Sequence, residues 1–210
     1  MGKRMLEEQR FRIRVTAVLT FSLHLMYAMY NGVLGIIYQS VWFYTMCVYY
    51  AVLSSMRLSV VLCEYKGGTA PSMEMEFFVM KLCGALLVVL SVVLAGTNYI
   101  SLSQNIAARR DEIMMITIAA YTFSKLTAAI VKAVKQRKNP SPILSALRTI
   151  RYAEVAASVL TLQRSMLVSF DGMEEVNIRI MNILSGSAVF LFVLALGAAM
   201  IRRGKQEGTK

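Results

Sequence analysis

Between Val15 and Met56 the chain carries no Asp, Glu, Lys or Arg. As a single helix rising about 1.5 Å per residue, this run would be roughly 63 Å long. That is twice the ~30 Å hydrocarbon core of a bilayer, so the run must turn back on itself. The one polar dip, Tyr38-Gln39-Ser40, predicts a helical hairpin with spans over about 15–38 and 41–63. Tyr38 and Trp42 fall beside that turn, where an aromatic interfacial belt belongs.

Glu64-Tyr65-Lys66-Gly67-Gly68 through Pro71 reads as a loop, because glycine, proline and charge punctuate it. A third span is expected over about 77–100, behind Glu74 and Glu76. Arg109-Arg110-Asp111-Glu112 breaks it from a fourth over about 113–132. A basic stretch with Asn139-Pro140-Ser141-Pro142 follows. The fifth span, about 152–170, carries the weakest signal, since only nine uncharged residues separate Glu154 from Arg164. Asp171-Gly172-Met173-Glu174-Glu175 ends it. A sixth span, 180–201, stops at Arg202-Arg203. The fold class is therefore all-α: a polytopic transmembrane helical bundle forming a single domain over 1–210.

Composition agrees. Of 210 residues 57% are hydrophobic and 17% charged, against about 45–50% and 25% in soluble domains. The net charge of +11 invites a nucleic-acid reading, but the positions of the charges argue otherwise. With the N-terminus inside, sixteen Lys and Arg fall on the cytoplasmic side, from Lys3 to Arg14, at Lys66, from Lys132 to Arg151, and from Arg202 to Lys210. Arg109, Arg110 and Arg179 fall on the other. This positive-inside bias places both termini in the cytoplasm of a plasma-membrane protein. Cys47, Cys63 and Cys83 show no CxxC spacing and read as small apolar residues. Residues 15–38 are too long an apolar run, with no A-x-A site, for a cleavable signal.

Faint self-similarity links the two halves. Glu74–Gly96 aligns ungapped with Glu175–Gly197, and Arg57 falls opposite Arg164. A repeat of three spans must invert in the membrane, and a 3+3 inverted repeat is a recurring transporter architecture.

Ionisable groups inside spans are costly and mark functional candidates. Lys125 is the deepest: its stem can snorkel to the inner interface, or its charge can line a cavity or pair with Glu154. Arg57, Lys81 and Arg164 lie nearer the ends, where their stems can snorkel. Glu154 is the one carboxylate within a span, with Arg151 three residues earlier as a ready helical partner. His24, the single histidine, suits an interhelical hydrogen bond better than a metal site. Asn31 and Gln163 are polar groups expected to face other helices. Together His24, Asn31, Arg57, Lys125, Glu154, Gln163 and Arg164 form the candidate polar pathway. Ile143, Leu144, Leu147 and Ile150 recur at helical spacing among Arg148 and Arg151, which suggests a short interfacial helix against anionic lipid.

No P-loop, GxGxxG, HExxH or paired acids occur, so no enzyme, metal or cofactor is expected. The stretches Tyr38–Arg57 and Tyr121–Phe170 are similar to those of small, uncharacterised six-span bacterial integral membrane proteins. That resemblance implies the same topology and no activity. The sequence favours a small transporter or channel-like protein for a small solute or ion. The alternative is a non-transporting accessory or scaffold subunit, or a lipid-interacting protein. The expected partners are the bilayer, anionic lipid at the cytoplasmic basic loop, and a second copy of the chain or a partner membrane subunit. Nucleic acid is not among them.

Overall fold

A computed structural model describes residues 2–66, 73–103, 112–135, 142–169 and 175–207. The described residues form six helices: α1 Gly2–Tyr38, α2 Val41–Lys66, α3 Met73–Ser103, α4 Glu112–Lys135, α5 Pro142–Ser169 and α6 Glu175–Glu207. The described residues contain no strand. Four stretches, Val15–Tyr38, Val41–Cys63, Met73–Ile100 and Val176–Lys205, are long and apolar enough to cross a membrane. Helices α4 and α5 are not in that class, and charge explains α5, which carries Arg148, Arg151, Glu154 and Arg164.

The α1–α2 turn falls on the polar dip. Gln39 adopts φ 47°, the left-handed conformation that ends a helix. The Tyr44 amide donates to the Ser40 carbonyl at 3.3 Å, opening α2. Close contact continues along the hairpin: a Cβ on Gly35 would lie 3.0 Å from the Tyr44 ring, and one on Gly32 3.3 Å from Cys47 Sγ.

The core belongs to α2, α3, α5 and α6. Leu53, Met56, Val60 and Cys63 form the inner stripe of α2 at helical spacing. Cys83, Leu87, Leu90 and Leu94 do so on α3, and Ile143, Ala146, Ile150, Ala153 and Ala157 on α5; Val193 and Met200 come from α6. Helix α5 thus begins ten residues before the expected span. The apolar positions read as an interfacial helix are core: Ile143, Leu147 and Ile150 are buried. Their spacing was visible, but the neighbouring arginines masked their burial.

Helices α3 and α6 run antiparallel and cross on small residues. A Cβ on Gly84 would lie 3.1 Å from the Gly197 carbonyl, and one on Gly197 3.0 Å from that of Gly84. At one end Gly204 faces the Lys81 stem, and at the other Gly186 faces the Asn98 amide. In lipid no hydrophobic effect draws apolar helices together, so such close backbone approach is the main source of packing energy. Helix α1 touches α2 alone and α4 touches α5 alone among the described elements. Only 11% of the apolar window of α1 is buried, against 44% of that of α3.

Candidate functional site

Arg57 is the largest fully buried side chain among the described residues, 2% exposed. The inner stripe of α2 carries it inward: Leu53, Met56 and Val60 bury one face, and Arg57 shares that turn. Its Nη2 donates to Glu154 Oε1 of α5 at 2.7 Å, and the Glu154 side chain is 12% exposed. Ala153 and Ala157, both buried, bring the α5 backbone close enough for Glu154 to reach α2. A charge-assisted bond of this length is strong, and leaving either ion alone here would be costly.

The surroundings are polar on one side. Arg151, half-buried, lies within electrostatic reach of both Arg57 and Glu154. Tyr49, one of the partly buried residues packed against the core, feels the Glu154 charge. Ser54 Oγ and Arg57 Nε are buried without a hydrogen-bond partner. They stand three residues apart on α2, which places them on one helix face.

The local expectations for these residues are therefore corrected. Glu154 bonds the guanidinium of α2, not the arginine one turn away in its own helix. Arg57 does not snorkel to the interface; it turns into the bundle. The missed signal is the pairing itself, which links positions 97 apart and has no local spacing.

The other candidates are dispersed. The His24 ring, on α1, faces Tyr50 of α2 with centroids 6.2 Å apart, and Tyr27 stacks on the same Tyr50 at 5.3 Å. Asn31 Nδ2 donates to its own helix at the Tyr27 carbonyl, 2.8 Å away. Gln163 is half-buried on α5. Lys125 stands on α4 and Arg164 on α5, with their side chains outside the described residues, as is the basic segment 136–141. Helix α1 contacts neither α4 nor α5, so His24 and Asn31 stand apart from Gln163. Among the described residues no cluster of His, Cys, Asp and Glu could hold a metal ion. Cys47, Cys63 and Cys83 form no disulfide with one another.

A second feature escaped sequence reading. The α3–α6 pair opens into a groove of about 460 Å³ at the end that holds Arg179 and Asn98. Comparison with protein families, curated proteins and solved structures finds no match to this chain. The fold thus defines a helical protein built to lie in a membrane, with a buried ion pair at its centre.

Proposed function

We propose that this protein works by association within the membrane, as a non-transporting accessory or scaffold subunit. It crosses the plasma membrane six times and keeps both termini in the cytoplasm, as the distribution of Lys and Arg supports. Helices α4 and α5 complete the six spans, and α5 brings its carboxylate into the bundle against the Arg57 charge.

One observation carries this reading: His24 and Asn31 stand on α1 and Glu154 and Gln163 on α5, two helices that do not touch, and Arg57 of α2 between them is bonded to Glu154. Between them the centre is filled by Met56, Leu87, Leu90 and Ile150, and its buried charge is neutralised by pairing. Helix α1 meanwhile offers Leu25, Met26, Met29, Tyr30 and Val33 along an open groove that no other described helix lines. The test is the size of the native assembly. Extracted from its own membrane in native nanodiscs, the tagged chain should run in a complex larger than its own dimer. A monomer or dimer under those conditions overturns the reading.

Transport of a small solute or ion is the second reading, and the pattern of helix contacts favours it. In the first half α1 packs on α2 and α2 on α3; in the second α4 packs on α5 and α5 on α6. The antiparallel α3 and α6 meet where the halves join, as an in-plane two-fold would require. The α3–α5 contact lacks its counterpart between α2 and α6. Under this reading Lys125→Met abolishes flux in proteoliposomes.

A further inference from the structure

We propose that the groove between α3 and α6 binds one anionic phospholipid of the leaflet opposite the cytoplasm. The inference needs only that α3 and α6 cross the bilayer, with Arg202 and Arg203 marking the cytoplasmic end.

The groove is mostly apolar, with Leu102 and Ile183 in its outer part, and its polar groups are set at two levels along the membrane normal. At its outer end stand the exposed Arg179 and the Ser103 hydroxyl. Seven residues deeper on α6, about 10 Å along the helix, Gly186 faces Asn98. Deeper again the lining is Ala95 and Phe190. A phospholipid in its leaflet has the same order: phosphate outermost, glycerol esters next, acyl chain innermost. Arg179 presents the planar fork that pairs with a phosphate. Tyr99, mostly exposed on the same wall, suits the interfacial level.

The ester level has its own polar groups. The Asn98 carboxamide lines the groove at this level. Its N–H₂ can donate to an ester carbonyl of a lipid seated there. Ser187, exposed on the groove wall, adds a hydroxyl donor at that depth. Gly186 makes room, since a Cβ there would overlap the Asn98 side chain. The volume of 460 Å³ falls in the range of pockets that hold small ligands, about 300–1,000 Å³. It takes a headgroup with the first part of one chain.

The experiment is native mass spectrometry of the full chain in detergent, titrated with phosphatidylglycerol, phosphatidylcholine or inorganic phosphate. The wild type should retain phosphatidylglycerol, and Arg179→Gln should lose one bound molecule, with affinity at that site falling about tenfold for a lost charge-assisted bond. Arg202→Gln, at the opposite end, should keep that molecule. Arg179→Lys should keep the preference for the anionic lipid, and carries the test if the glutamine variant aggregates. Equal retention by Arg179→Gln and wild type overturns the proposal. So does equal binding of phosphatidylcholine, a lysine variant no better than the glutamine one, or inorganic phosphate displacing the lipid by itself. None of these outcomes bears on the native assembly, so failure here is separable from failure of the accessory reading.

Discussion

Arg57 of α2 and Glu154 of α5 share a 2.7 Å hydrogen-bonded ion pair inside the bundle, with the guanidinium almost fully buried. Helices α2 and α5 otherwise touch lightly, so this pair is the principal tie between them. It also supplies what α5 lacks: a helix with this many charges does not match the apolarity of its neighbours, and pairing removes the penalty on Glu154.

Glu154→Gln should therefore be strongly destabilising, because it leaves Arg57 charged and buried. Breaking such a pair typically costs about 3–5 kcal/mol. The double variant Arg57→Met/Glu154→Met should recover most of that loss, since apolar replacements leave no orphan charge. Unfolding in mixed micelles measures both. A single variant as stable as the wild type would contradict the pairing account.

The glycine crossing of α3 and α6 yields a matched contrast. Gly197→Ala puts a methyl 3.0 Å from the Gly84 carbonyl oxygen and from Val88 Cγ2. The helices must part, at a cost of about 1–3 kcal/mol. Gly96→Ala meets nothing within 4 Å, and should be neutral or stabilising by up to about 1 kcal/mol. Thermal unfolding of the two variants side by side checks the sign of each.

Gln39 bears a left-handed backbone at the tip of the α1–α2 hairpin. That conformation costs an L-residue roughly 1–2 kcal/mol, and glycine adopts it freely. Gln39→Gly should therefore raise stability by about 0.5–1 kcal/mol, after the extra entropy glycine loses on folding. Gln39→Val should lower it, as a β-branched side chain tolerates this φ least. A thermal-shift series over the three residues tests the order Gly, Gln, Val.

The hairpin was legible in the sequence because a single polar dip interrupts a long apolar run, and the chain turns at Gln39 and Ser40. Helical content in the described elements was legible from the length of the apolar runs. The start of α5 was not. Ile143, Leu147 and Ile150 have the spacing of a buried face, but Arg148 and Arg151 lie between them and resemble a cytoplasmic topology signal. Arg57 and Glu154 each stood out as costly groups, yet local rules assigned each a nearby solution, an interface or a neighbour one turn away. Their partnership is tertiary, and so is the meeting of Asn98 with Gly186 that shapes the groove.

The threading of the chain admits the most direct test. In a chain with Cys47, Cys63 and Cys83 replaced by alanine, single cysteines are placed at Gly172 and at Gly208. In intact cells a membrane-impermeant thiol reagent should label the cysteine at 172 and leave that at 208 unlabelled until the cells are opened. A shielded 172, or a 208 labelled from outside, would contradict six crossings with both ends in the cytoplasm.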